Sequence, residues 1–439
     1  MNATTLRLTR TAAATLLAAG LITGCTDNPN YGGASDAGGS AGPIAVTMSD
    51  TECTVAATET PSGLVTFSVT NTGTVPNEFE VLAGDKLRII SEKENIGPGS
   101  TVELTTALSP GDYFTACKPN MVGDFVGDMP FTVTEGEEVV VSEDIKVLEE
   151  QAVTQYTGYV KDQSGFLVTR TDEFVEAYLA GDTEAAKALY PRARKHYERI
   201  EPTAESFGIN EAGDLDAALD LRIQDLSADA GTSVTDPQVL AEWTGWHRIE
   251  ADLFSDDPAF DFPNEEERTR VARKLQEDTQ TLYNLVWGVQ EGADGRFVLT
   301  LEDVTTGASA LMEEVATGKI VGEEETFSHT DLEDFQANLD GARVAWGNVA
   351  PIVEKNDPAL AKDIAGGFES VQGELDTYRD GEDADGDPTF VDYSTIASVQ
   401  EDAGQAPVES DYTDAQRKLS RAVNALSEDL SKVAAVVLH

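Results

Sequence analysis

The sequence is short of positive charge, of histidine and of cysteine, and each shortage narrows what the chain can do. It carries 30 basic residues against 80 acidic ones, a formal net charge of −50. That balance excludes a general nucleic-acid surface and disfavours anionic membranes. Solubility or adaptation to a saline habitat is the plainest explanation of the overall charge, with affinity for cationic ligands as the alternative. Histidine occurs only four times, and residues 1–195 contain none. A blue-copper centre needs two imidazoles beside its thiolate, so the first part of the chain lacks the ligands for one. Cysteine occurs only at Cys25, Cys53 and Cys117.

What is present begins with Arg7 and Arg10, an apolar run from Thr11 to Ile22, and then Ile22-Thr23-Gly24-Cys25. The run is too short for a membrane span and has the layout of a secretory leader over 1–24. Its end resembles a bacterial lipobox: small residues before Cys25 suit cleavage, after which the thiol receives a lipid. Cleavage without lipidation is the alternative. A Gly/Ser/Asn/Asp-rich tether over 25–42 follows. The expected location is therefore outside the cytoplasmic membrane, lipid-anchored at the cell envelope. In that compartment Cys53 and Cys117 are free to form a disulfide, or to serve as metal thiolates.

Two regions of opposite character follow. Residues 43–147 read as short alternating strands, among them Leu64–Val69, Glu78–Leu82, Thr101–Leu104 and Phe131–Val133. Turn residues at Thr72-Gly73, Gly97-Pro98-Gly99 and Pro110-Gly111-Asp112 separate them. About a hundred residues of this kind imply a small β-sandwich. Residues 150–439 switch to helical periodicity. One apolar stripe runs through Leu189, Ala193, Tyr197, Ile200, Ala204 and Phe207, and another through Leu332, Phe335, Leu339, Ala342, Trp346 and Val349. Thr330-Asp-Leu-Glu333 has the capping-box pattern at the start of the second. The expected fold is thus multidomain, a small all-β Greek-key sandwich followed by an all-α helical bundle.

The helical region contains Gly245-Trp-His247-Arg-Ile-Glu250. On a helix, His247 and Glu250 share a face, and they complete an apolar stripe with Trp243, Trp246, Leu253 and Phe254. An unpartnered buried carboxylate costs several kcal/mol or shifts its pKa, so this pair needs partners or a cation. Glu201 lies beside the apolar face of the first stripe and Glu198 roughly opposite it. Pro202 follows Glu201 and can bend that helix. A helix around 308–319 brings Glu314 closer to its inner face than Glu313. Asp220 and Asp225, in the segment before His247, complete the candidates, although periodicity does not place them. One imidazole with several carboxylates suits iron, zinc or manganese. A salt-bridged core cluster with Arg194 or Arg248 is the bland alternative. His196 and His329 read as structural.

Resemblance adds to this reading. Asn71 to Asn77, Gly97-Pro98-Gly99 and Ser109 to Cys117 resemble a cupredoxin, with Asn77 where that family has its first copper histidine. The departure leaves a different site of Cys53, Glu78, Cys117 and Met121, or a Cys53–Cys117 disulfide. His196 to Pro202, Thr244 to Glu250, Glu313 to Ile320 and Ser328 to Leu332 resemble the imelysin-like domain of EfeO-type iron-uptake proteins, in which a cupredoxin-like domain comes first. That resemblance implies an extracytoplasmic protein that captures iron for a membrane ferric permease, often beside a haem-peroxidase-like partner. It matches His247 and Glu250 directly to the family's His-x-x-Glu pair and supports Glu201, Glu314, Asp220 and Asp225 as further ligands, with copper or zinc as other metals. No catalytic residue is implied. The alternatives are a His-x-x-Glu metallopeptidase-like hydrolase, for which one histidine is a sparse ligand set, and a metal-free surface-binding lipoprotein.

Overall fold

Strand β4 (Gly63–Asn71) shows why the first region folds as a sandwich: Val65, Phe67 and Val69 point inward while their neighbours remain partly exposed. The same alternation recurs in β1 (Ile44–Met48), β2 (Cys53–Val55), β7 (Thr101–Leu108) and β9 (Val126–Thr134). A computed structural model describes residues 42–121, 124–136, 145–209, 213–292, 295–399 and 407–438. Cys25, the leader and nearly all of the expected tether lie outside the described residues.

In the sandwich, one sheet has the order β2-β1-β4-β7. The other comprises β3 (Glu59–Pro61), β9, β8 (Gly111–Pro119), β5 (Asn77–Ala83) and β6 (Ile89–Ile96), in that order. Strands β1 and β4, and again β3 and β9, run parallel, and the other pairings are antiparallel. Phe67, Phe79 and Phe131 meet in the core between the sheets. Strand β5 differs from the rest because it is buried on both faces. Its second face is covered by the long helix α1 (Ile145–Ala180), which is held on β6 by a bond from Gln155 Nε2 to the Ile90 carbonyl at 2.7 Å.

The helical region packs α1, α2 (Thr183–Glu198), α8 (Glu265–Val286), α9 (Leu301–Thr317) and α10 (Asp331–Asn356) around one extended apolar core. Short helices α3 (Glu201–Glu205), α4 (Leu215–Asp220), α5 (Ile223–Ala230), α6 (Pro237–Glu242) and α7 (Trp246–Phe254) link α2 to α8 along the chain. Helices α11 (Pro358–Leu375), α12 (Asp414–Leu430) and α13 (Val433–Val437) pack beyond α10.

Two local expectations are corrected. The first stripe is not one helix: α2 ends at Glu198, and α3 restarts at Glu201 with Pro202 in its first turn. Thr330 precedes α10 without a side-chain cap bond: its hydroxyl meets Ser328 Oγ at 3.0 Å, and Glu333 Oε1 accepts the Phe390 N–H at 3.1 Å. A capping box does form at Thr300 and Asp303, at the start of α9.

Candidate metal centre

Gly245 sets the position of the histidine. Its φ of 87° and ψ of −167° lie in a region open essentially to glycine alone, and a Cβ there would come within 2.1 Å of the Leu219 carbonyl oxygen. This close approach seats the first turn of α7 against the end of α4, bringing His247 to Asp220. Trp246 anchors the turn by packing against Phe174 and Tyr190.

His247 is 2% exposed and Glu250 wholly buried. The Nδ1 of His247 faces Glu250 Oε2 at 3.1 Å, while Glu250 Oε1 accepts the N–H groups of Phe327 at 2.9 Å and Ser328 at 2.8 Å. Both Glu250 oxygens are therefore engaged. A carboxylate can only accept, so Nδ1 carries the proton and Nε2 is turned to the other side. There Nε2 makes no hydrogen bond and faces Asp220 Oδ1 at 3.3 Å and Glu324 Oε1 at 3.5 Å. One donor atom from each of Asp220, His247 and Glu324 lies within 4.8 Å of the others. The same holds for His247, Glu250 and Glu325, and for Glu198, Glu201, Asp220 and Glu324.

The surroundings are crowded with charge. Glu198, Glu201, Asp220, Glu250, Glu324, Glu325, Asp331 and Asp334 are all buried, against the cations Arg194 and Lys319. Arg194 donates to Asp220, to Glu198 and to Glu324 Oε1 at 3.2 Å, and its Nε stands 2.7 Å from Glu325 Oε1 as an ion pair. Lys319 Nζ donates to Glu201 at 2.9 Å and to Glu198, and lies 3.8 Å from Glu324. Burial pushes the carboxyls of Glu198 and Glu325 up to about 8 and raises Glu201, Asp331 and Asp334 as well. Asp220 and Glu324 go the other way. Burial would raise both, but Arg194 and His247 hold Asp220 low, and Lys319, His247 and Arg222 hold Glu324 well below the usual range. The two carboxylates kept ionised are thus the two that face Nε2. Burial and Arg194 disfavour a charged His247, yet the Asp220 carboxylate and the bond to Glu250 outweigh them and hold its pKa well above the ordinary imidazole value. A proton at Nε2 stands where a metal ion would bind and release it. The donor set, one imidazole nitrogen and hard carboxylate oxygens, fits iron.

The expected residues divide accordingly. His247, Glu250, Glu201 and Asp220 are brought together. Glu314 stands at the edge, 3.9 Å from Lys319, with burial pushing it up to about 7. Asp225 is excluded: its half-exposed carboxylate pairs with Arg222 at 3.0 Å in the first turn of α5. Glu198, expected to face away, is fully buried, because other elements enclose the end of α2 on all sides. Glu324 and Glu325 went unnoticed; the acidic run Glu323-Glu324-Glu325 after Gly322 was the available signal. Of the two arginines considered as core partners, Arg194 enters the cluster, whereas Arg248 donates to the Phe260 carbonyl and lies over the Phe262 ring. His196 bonds Gln163 at 2.8 Å and stacks on Phe166.

The thiolate site in the sandwich is overturned. Cys53 and Cys117 form a disulfide, and their Cα atoms stand 5.8 Å apart on facing sheets. Cys117 pairs with Phe79 and faces the sandwich core, whereas Glu78 pairs with Lys118 and faces α1, so the sheet itself separates them. Met121 follows Asn120 in a turn where both have positive φ. Asn77 donates to the Ser49 carbonyl at 3.0 Å, a purely structural bond.

Comparison with known proteins agrees with this two-part architecture. The family model described as imelysin matches residues 152–433, and that of the cupredoxin-like domain matches residues 15–129. The chain is 32% identical over 394 residues to the iron uptake system component EfeO of Yersinia pestis, covering 90% of this chain and 91% of that protein. It is likewise 32% identical over 396 residues to the iron uptake system component EfeO of Escherichia coli strain K12, with the same coverage.

Proposed function

The chain belongs to the imelysin family of EfeO-type iron-uptake components, and from that premise we propose that it binds iron outside the cytoplasmic membrane and hands it to a membrane permease. Iron is cargo here, and the role is binding rather than catalysis. His247 Nε2, Asp220 and Glu324 hold the ion. Glu250 orients the imidazole through Nδ1, the arrangement that fixes tautomer and direction in histidine metal sites. Glu198, Glu201 and Glu325 supply further oxygens as Arg194 and Lys319 give way to the higher charge of the ion.

The observation that carries this reading is the buried Nε2, without a hydrogen bond, aimed between two carboxylates kept ionised. The relatives' names support iron as the metal. Among the described residues no helix is long and apolar enough to cross a membrane. Attachment through a lipid on Cys25 belongs to the proposal, as does a haem-peroxidase-like partner. Leader cleavage after residue 24, with the sandwich over 43–147 and the helical domain over 150–439, completes it.

Iron titration of the metal-free protein is the test. His247→Ala and Glu324→Gln should each bind one ion fewer than wild type, and Asp225→Asn should bind as wild type does. No iron uptake by the wild type rejects the function, and equal uptake by His247→Ala rejects the site. Cleavage of a peptide library by wild type but not by His247→Ala would favour a hydrolase instead.

A further inference from the structure

Two sides of the buried centre lead toward solvent, and the cations standing on them differ. Beyond Glu324 lies Arg222, whose guanidinium donates to Glu324 at 3.2 Å, to Glu323 at 2.9 Å and to Asp225 at 3.0 Å. Three carboxylates fix this planar group in place, and an approaching metal ion meets its positive charge. That side repels a cation.

The other side runs between α3 and α9. Asp303, Thr306, Ala310 and Glu314 follow one another on α9 at spacings of three or four and so share a face. Glu201 and Glu205 are likewise four apart on α3. The outer members of both rows, Asp303, Thr306, Ala310 and Glu205, line a cavity of 420 Å³. Arg296 on its wall lies against Gly288, near the end of α8. The inner members, Glu314 and Glu201, stand one turn further along the same helices and reach the centre. Burial deepens in the same order: Glu205 is exposed, and the side chain of Glu314 is 27% exposed, that of Glu201 9% and that of Glu198 0%. An ion moving inward therefore exchanges water for carboxylate oxygen in steps, which avoids losing its whole hydration shell at once.

Lys319 stands in this path. Its Nζ lies 2.9 Å from Glu201, 3.8 Å from Glu324 and 3.9 Å from Glu314 Oε2, an oxygen that is buried and accepts no hydrogen bond. An ammonium on a flexible four-carbon stem can swing aside, unlike the guanidinium on the other side.

We propose that the cavity between α3 and α9 is the portal of the iron centre: Glu205 draws the cation in, Glu314 receives it, and Lys319 yields as it passes to Glu201 and Glu198. This inference rests on iron binding at the His247 centre. It adds the direction of entry and a gate.

Iron(II), handled without oxygen, is the probe, and stopped-flow quenching of tryptophan fluorescence reads its arrival, since Trp246 adjoins His247. A chase with excess chelator reads its departure. Ala310→Phe narrows the inner end of the cavity and leaves the ligands in place. It should slow association and dissociation alike, each at least about fivefold, with Kd unchanged. Glu205→Gln keeps the shape and removes the charge, so it should slow association about two- to fivefold at low salt and have no effect in about 0.5 M salt. That variant carries the test alone where Ala310→Phe does not fold. Wild-type association in Glu205→Gln at low salt, or in a folded Ala310→Phe protein, would overturn the portal and leave the function standing. No iron binding by the wild type would overturn both.

Discussion

At the scale of single residues, His247 and Glu250 differ in role although their spacing makes them look equivalent. Glu250 spends one oxygen on two backbone N–H groups and the other on Nδ1, so in the proposed centre its part is to orient the imidazole. Glu250→Gln keeps the shape but weakens the pull on Nδ1. It should lower iron affinity by about 10–100-fold, the usual effect of losing such a partner. His247→Ala removes the nitrogen ligand itself and should abolish binding at this centre. Isothermal titration of both variants separates the roles, and equal losses would show Glu250 to be a direct ligand. The sequence made His247 and Glu250 legible because helical spacing placed both on an apolar stripe. Glu324 was not legible, since it follows Gly322 in a segment with no periodicity. Glu198 was misread because the 100° rule places a side chain on a helix and does not say what packs around that helix.

At the scale of elements, the strands were legible from alternation and the long helices from their stripes. The junctions were not. The break between α2 and α3 was signalled only by Pro202, and the short helices α4 to α7 are too brief to carry a periodic pattern of their own. Yet those junctions build the centre. The contact of Gly245 with the Leu219 carbonyl joins α7 to α4 and so joins His247 to Asp220. Gly245→Ala should cost at least about 1–3 kcal/mol from backbone strain alone. It should also lower iron affinity, because the clash separates the two ligands. Thermal melting and iron titration check the two effects. Wild-type affinity in a destabilised Gly245→Ala protein would mean that the contact supports the fold and not the site.

At the scale of the whole molecule, the excess of acid is carried inside as well as outside, and this sets how stability depends on pH. In the folded chain, burial pushes Glu92, Glu198, Glu325 and Glu333 up to about 8 and Asp216 and Glu314 up to about 7. In the unfolded chain these groups return to ordinary carboxylate values. Between about pH 4.5 and 8 the unfolded state therefore binds fewer protons, and stability falls as pH rises through that window. His247, raised in the folded state, acts in the same direction. His196 opposes them: burial and the nearby Arg199 hold it neutral, so its contribution is full above about 6.5 and fades as pH falls below that value. The raised groups outnumber it, and the metal-free protein should melt at a higher temperature at pH 5.5 than at pH 8. Surface self-repulsion predicts the same sign but is screened by salt, whereas buried groups are screened far less. The difference should therefore persist in about 0.5 M salt. A cation bound at the His247 centre replaces the protons that His247, Glu198 and Glu325 hold, so saturating metal should raise the melting temperature most at pH 8 and shrink the difference. A metal-free protein that becomes more stable from pH 5.5 to pH 8 in high salt would refute the claim that its buried carboxyls stay protonated until an ion takes their place.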